Sequence, residues 1–213
     1  MTTAKILGVF ALAAALAGFS ASPAPAAGPQ IKFASELEEA GRAQLRRLLA
    51  DYDLSPWLFT DKVKVEAGVE PHSMPILTMN TDHLDNDLRQ LSIFLHEQVH
   101  WHVAMAARRL AAIAELRRAY PDAPADSERL YQHLLVAWLE FDALAELIGE
   151  DEARRVIREK VAVINRGLAP EVAEQFAWYN LTVLEDTQAI GAVVERHGLM
   201  LTPGAGITLR RGP

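Results

Sequence analysis

The sequence has no cysteine among its 213 residues. A disulfide framework, a thiolate metal site and lipid attachment at cysteine are therefore excluded. Any bound metal must take its protein ligands from His, Asp or Glu side chains. Positive charge is also scarce, because 21 Lys and Arg residues stand against 28 Asp and Glu, for a formal net charge of −7. No basic cluster stands out, which argues against nucleic acid as a partner.

Long apolar runs are lacking except near the N-terminus. Met1–Lys5 carries one positive charge, Ile6–Gly18 is an unbroken apolar run, and Ala24–Ala26 offers a small-x-small cleavage site. This pattern predicts a secretory signal peptide over residues 1–27, whose apolar part is short for a membrane span; a retained anchor is the alternative. Residues 28–213 are then expected to form a single exported domain, periplasmic or secreted, with no membrane contact after cleavage.

Apolar residues recur at helical spacing along most of this domain. Ser35 is a candidate N-cap of the first helix because Glu38 follows three residues later, as in a capping box. For the second helix, Thr81 or Asp82 is the candidate cap, and the pattern leaves open whether one helix or two run to Tyr120. The predicted helices are Ser35–Asp51, Leu84–Tyr120, Ser127–Ile148, Asp151–Arg166 and Pro170–His197. The tail, residues 199–213, is expected to be irregular.

Two short stretches have the character of β-strands. Val63–Glu66 alternates apolar and polar side chains, and Pro75–Met79 follows after turn signals at Gly68 and Pro71. We expect an antiparallel pair. The predicted fold class is thus α+β and predominantly helical, with a small antiparallel hairpin packed against a long helix and a C-terminal helical bundle.

The long predicted helix contains the sequence His96-Glu97-Gln98-Val99-His100. Two His residues four positions apart lie on one face of a helix and can bind a single Zn²⁺, with the intervening Glu close enough to polarise a water. The neighbouring apolar residues indicate that these imidazoles are buried and need partners. His102 points elsewhere on the helix and is left out of the predicted site.

Glu140 is the best candidate for a third zinc ligand. Its neighbours at three and four residues are Val136, Ala137, Ala143 and Leu144, all apolar. A carboxylate on such a face needs compensation for its buried charge. Zinc coordination would supply that compensation, and so would an ion pair with an arginine such as Arg89 or Arg109. Asp142 and Glu146 are weaker candidates because they share a face that resembles a solvated edge, and His133 is a further alternative if Glu140 does not bind.

The motif followed by a helical Glu about forty residues later resembles the zincin metallopeptidases, in their Glu-zincin arrangement. The resemblance covers roughly residues 59–149. It implies a zincin-like core, zinc ligands His96, His100 and Glu140, and Glu97 as general base of a hydrolase acting on peptides or proteins. It also implies a substrate-binding edge at Pro75–Met79.

The chain departs from that family at Leu144, where many members have an acidic residue that orients a ligand His. Glu185 or Asp186 is then a candidate for this orienting role. His133, Tyr179 and His197 are candidate donors to an oxyanion. His72, in the predicted turn, is expected to be a loop residue beside the cleft.

Two other functions remain open from the sequence. The chain could bind metal without turnover, or be a helical interaction protein of the periplasm in which the motif is accidental. The Glu97 carboxylate favours catalysis over a purely structural metal site. The oligomeric state cannot be read from the sequence.

Overall fold

The computed structural model describes residues 34–164 and 168–201. The predicted signal peptide and residues 202–213 of the tail lie outside this range. The elements, in chain order, are α1 (Glu36–Asp51), β1 (Val63–Val65), β2 (Leu77–Met79), α2 (Asp87–Met105), α3 (Arg109–Ala119), α4 (Glu128–Ile148), α5 (Glu150–Ile164), α6 (Pro170–Glu185) and α7 (Thr187–Arg196). The predominantly helical α+β class is confirmed.

The predicted capping box begins α1. The Ser35 hydroxyl accepts a hydrogen bond from the Glu38 backbone N–H at 3.2 Å, and the Glu38 carboxylate accepts one from the Ser35 N–H at 2.8 Å. Two backbone donors at the start of the helix are thereby satisfied. The cap of α2 is different from both candidates, because the Asn86 side chain accepts from the Arg89 N–H at 2.9 Å. The helix therefore starts at Asp87, later than the apolar pattern indicated.

The prediction of an antiparallel strand pair is wrong. β1 and β2 are parallel, with Val63 opposite Leu77 and Val65 opposite Met79. The connection reverses direction twice, first near Gly68, whose φ is +73°, and again after His72. His72 forms the antiparallel bridge, exchanging backbone hydrogen bonds with Thr78 at 2.8 and 3.1 Å. The turn signals were correct, but two reversals restore the original strand direction.

The stretch predicted as Leu84–Tyr120 contains two helices, α2 and α3. α2 ends at Met105, and Ala106 has an extended backbone with φ −71° and ψ 122°. Arg109 at the start of α3 donates from its guanidinium to the Ala104 carbonyl at 3.1 Å. This side chain satisfies one of the carbonyl groups that a helix end leaves unpaired.

The predicted helix Pro170–His197 is also divided, at Asp186. Two contacts from distant parts of the chain lie at this break. The Trp138 indole N–H from α4 donates to the Thr187 carbonyl at 2.7 Å, and the Tyr120 hydroxyl donates to Asp186 at 3.3 Å. Such partners from distant parts of the chain are not visible in a local apolar pattern.

Helix α4 lies at the centre and packs against α2, α3, α5, α6 and α7. Leu134, Leu135 and Leu139 are completely buried, and Trp138 and Phe141 are aromatic residues of the core. Trp101 and Trp178 are half-buried. No helix in the described part of the chain is both long and apolar enough to cross a membrane.

Gly191 provides a test of the contact between α7 and α4. A Cβ at this position would lie 2.7 Å from the Trp138 ring. Gly191→Ala should therefore lower the free energy of unfolding, by about 1–3 kcal/mol, although alanine favours helices. The measurement is urea unfolding followed by circular dichroism.

The control is Ala192→Gly, an exposed position on the same helix, which reports the propensity difference alone. A stabilising effect of Gly191→Ala that matches this difference would show that the ring does not constrain the position.

Candidate metal centre

Three imidazoles come together between α2 and α4. One ring nitrogen from each of His96, His100 and His133 can be chosen so that all three lie within 4.8 Å of one another. The ring centroids of His100 lie 4.9 Å from those of both His96 and His133, and the other two rings are 6.0 Å apart. This is the only such group of three potential ligands among the described residues. Such nitrogen donors suit a divalent transition metal.

Hydrogen bonds fix the orientation of two of these rings. The Nδ1 of His96 lies 2.8 Å from a carboxylate oxygen of Glu140, and the Nδ1 of His133 lies 2.8 Å from the carbonyl oxygen of Arg129. Both acceptors require a proton on Nδ1, so Nε2 is left as the free ring nitrogen. Metal-binding histidines in proteins are commonly held in this manner.

Glu140 lies behind His96 and outside the group of three imidazoles. Its carboxylate is completely buried, and Lys160 on α5 donates to both oxygens at 2.6 Å. The Ser92 hydroxyl donates to one oxygen and His96 to the other. The partner is therefore neither Arg89 nor Arg109, the two arginines considered from the sequence. All of these donors occupy the carboxylate, and its contact with Nδ1 holds the His96 ring in place.

The pKa values follow from this burial and pairing. Burial alone would raise the pKa of Glu140, but Lys160 and His96 outweigh it and lower the pKa to about 2. Burial lowers the pKa of Lys160, against the pull of Glu140. Burial and the neighbouring imidazoles lower the pKa of His100 to about 2 and that of His133 to about 4. Neutral imidazoles are the form that binds metal.

Glu97 is 8% exposed and faces the loop between the two strands. The Ser73 hydroxyl in this loop donates to one of its carboxylate oxygens at 2.6 Å. Ser73 is itself held by Trp101, whose indole N–H donates to the Ser73 carbonyl at 3.0 Å. This loop therefore fixes the orientation of the carboxylate beside the imidazoles.

A cleft of about 560 Å³ opens onto the three imidazoles and Glu97. We call it the metal cleft. Ser73, the exposed His72 and Arg129 also line this cleft. The substrate edge implied by the resemblance is partly occupied, because Thr78 is already bonded to His72 through its backbone. An extended substrate would have to bind elsewhere along the loop.

The remaining sequence candidates lie in different places. The buried Tyr179 has its ring 5.4 Å from the His133 ring, and burial raises its pKa. His197 instead contacts Glu115 at 2.7 Å, and His102 contacts the Leu199 carbonyl at 2.9 Å. Asp186 accepts a hydrogen bond from Tyr120 at 3.3 Å.

Three acidic candidates are also outside the group of imidazoles. Glu185 and Glu146 are exposed, and Asp142 is half-buried. Burial and Glu146 raise the pKa of Asp142. Glu185 and Asp186 were the candidates for orienting a ligand His. Within the described part of the chain, neither forms a hydrogen bond with an imidazole of the group, whereas Glu140 forms one.

His133 was considered in the sequence as an oxyanion donor, and as a third ligand only if Glu140 does not bind the metal. It lies two helical turns before Glu140 on the same apolar face, which is the signal for its place in this group. Lys160 was not considered at all. Its position beside the buried Val156, Ile157 and Val161 on α5 is the signal that could have identified a buried cation.

Comparison of the chain with models of known protein families, with curated proteins and with solved structures finds no match. The chemistry of the centre must therefore be argued from its geometry.

The buried ion pair predicts a large effect of removing one partner. Lys160→Met should lower the free energy of unfolding by about 3–5 kcal/mol, because the Glu140 charge remains buried without its cation. The double variant Lys160→Met with Glu140→Gln should recover much of this loss. Urea unfolding in the presence of a chelator separates the effect from metal binding.

Arg155→Met is the matched control. It removes an exposed cation from the same helix, which pairs with Glu152 at 2.5 Å and with Glu159, and should change stability by less than about 1 kcal/mol. Equal losses in Lys160→Met and Arg155→Met would contradict the assigned role of the buried pair.

Proposed function

We propose that this chain is an exported zinc-dependent hydrolase that cleaves peptide bonds, with His96, His100 and His133 as metal ligands and Glu97 as general base. The observation that carries the proposal is the convergence of three imidazoles beside a buried carboxylate at the cleft. Export rests on the signal-peptide pattern of residues 1–27.

The donor set supports zinc. Three neutral imidazoles with one further position open form a ligand set found in catalytic zinc sites. The proposal departs from the Glu-zincin pattern, because His133 takes the third ligand position and Glu140 orients His96. Occupation of both Glu140 oxygens by Lys160, Ser92 and His96 supports this reassignment.

When bound, a zinc ion supplies a Lewis acid that polarises a carbonyl and acidifies water. Glu97 accepts the proton of the attacking water, while the Ser73 hydroxyl holds the other carboxylate oxygen. A bond forms between the water oxygen and the carbonyl carbon. The amide C–N bond then breaks, and Glu97 returns the proton to the leaving nitrogen. Tyr179 keeps its hydroxyl proton at neutral pH and is a candidate donor to the oxyanion.

A second candidate is a metal-binding protein without turnover. The hydrogen bond from Ser73 to Glu97 favours it, because this contact holds part of the carboxylate away from water. The third candidate is an interaction protein in which the motif is accidental. It requires a cation to pair with Glu140, and a cation is found there, although it is Lys160 and not an arginine. This candidate does not explain why three imidazoles converge.

Metal content distinguishes these functions. We expect about one zinc per chain in the parent protein under zinc-replete conditions, with binding lost in His100→Ala and His133→Ala. The double variant Glu140→Gln with Lys160→Met leaves no buried charge unpaired, so it should keep the site but weaken zinc affinity by about 10–100-fold through the changed partner of His96. The measurement is elemental analysis with a competitive chelator titration.

His72→Ala is the control, because His72 borders the cleft but lies outside the group of ligands. Retention of zinc in His133→Ala together with its loss in Glu140→Ala would return the third ligand position to Glu140. The absence of stoichiometric metal in the parent would remove the basis for an enzyme.

Glu97→Gln tests catalysis separately from metal binding. We expect hydrolysis of a peptide mixture, followed by mass spectrometry, to fall by about 10²–10⁴-fold while zinc content stays at the parental level. The control is Glu128→Gln, an exposed carboxylate in the first turn of α4. A parent that binds zinc but cleaves no peptide would favour the non-catalytic metal protein.

A further inference from the structure

A second cavity, of about 480 Å³, lies beside the metal cleft. His96, Glu97 and Arg129 line both spaces, so a molecule bound at the imidazoles could extend from one into the other. Ile93 and Phe176 contribute apolar side chains to its wall. Arg89, on α2, also lines this cavity, and we call the space the arginine cavity.

Arg89 is an unusual residue to find in such a wall. It is only 7% exposed, yet its guanidinium has no hydrogen-bond or ion-pair partner among the described residues, and its Nε is buried. Burial lowers its pKa, although Glu140 and Glu159 oppose this effect from a distance. A buried guanidinium without an anion is costly, and most are paired. No described residue supplies this partner, and a bound anion would supply it.

The charges around the cavity nearly balance, so the unpaired guanidinium of Arg89, and not the net charge of the lining, favours an anion. Lys160 and Glu140 neutralise each other at 2.6 Å, which leaves Arg89 and Arg129 against Glu97. Two further acids, Glu70 and Asp82, also line the cavity. Glu70 is exposed, and the Asp82 carboxylate accepts a hydrogen bond from the Asn80 side chain at 2.7 Å. A zinc ion at the imidazoles would add further positive charge.

We propose that the arginine cavity is a subsite for a carboxylate group of the substrate, which Arg89 binds while Arg129 attracts it at the junction with the metal cleft. A guanidinium can bind a carboxylate through two parallel hydrogen bonds, and the apolar wall suits the hydrocarbon part of an amino-acid residue. The carboxylate belongs either to an acidic side chain or to the C-terminus of a peptide. The inference rests on the proposed function in that the bond to be cleaved lies at the imidazoles.

Three blocked dipeptides test the subsite by calorimetric titration of the full chain, with and without zinc. Acetyl-Phe-Glu-amide carries a side-chain carboxylate, acetyl-Phe-Ala carries a C-terminal one, and acetyl-Phe-Gln-amide is the neutral reference. We expect one carboxylate probe to bind at least about tenfold more tightly than the reference, both with zinc and after chelation. Which probe does so identifies the source of the carboxylate.

Arg89→Gln should abolish this preference. The control Arg46→Gln, at an exposed arginine of α1, should leave it intact. If Arg89→Gln does not fold, Arg89→Lys and Arg129→Gln replace it. Arg89→Lys should reduce the preference because lysine lacks the bidentate geometry, and Arg129→Gln should reduce it because a positive charge is lost. Equal binding of all three probes to the parent would overturn the inference. So would a preference that survives the Arg89 variants or exists only with zinc bound.

The two proposals can fail separately. A chain that binds no zinc but keeps an Arg89-dependent preference for carboxylates would have the subsite without the proposed hydrolase. A chain that binds zinc and cleaves peptides without any such preference would be the hydrolase without the subsite.

Discussion

The contact on which the centre of this structure depends is the buried ion pair between Lys160 and Glu140. It joins α5 to α4, and through Ser92 and His96 the same carboxylate also joins α2. A lone carboxylate at this position would be strongly destabilising, and so would a lone ammonium. The three helices must therefore meet in one register, and that register brings His96 opposite His133. Packing of apolar side chains alone would tolerate small shifts, whereas these hydrogen bonds do not.

The same pair determines the chemistry of the imidazole in front of it. A carboxylate that accepts the Nδ1 proton of His96 leaves Nε2 free, and a negative charge behind the ring makes that nitrogen a better donor to a metal. Lys160 limits this effect because it shares the carboxylate charge. On α4, the backbone carbonyl of Arg129 has the corresponding role for His133, without a charge. The two rings are thus held by acceptors of different strength.

Much of the fold could be predicted from the sequence because the helices carry strong local signals. Their apolar spacing and the capping box at Ser35 were sufficient to place α1, α4 and most of α2. The errors fell where long-range contacts decide the outcome. The bond from Trp138 to Thr187 lies where the last predicted helix is divided, and the bridge between His72 and Thr78 accompanies the second reversal between the strands. Within the site, His96, Glu97 and His100 were identified from their spacing, and the buried position of Glu140 from its neighbours.

The partners of Glu140 show why the rest of the site was not predictable. An apolar helix face indicates that a carboxylate is buried, but the compensating charge can be a metal, an arginine or a lysine from any helix that packs there. His133 and Glu140 share one face of α4 two turns apart, so periodicity alone gives them equal access to the motif. Their roles differ because α5 brings Lys160 to the level of Glu140. The buried Lys160 makes Glu140 an ion-pair partner. His133, two turns earlier on the same face, keeps a free ring nitrogen beside His100.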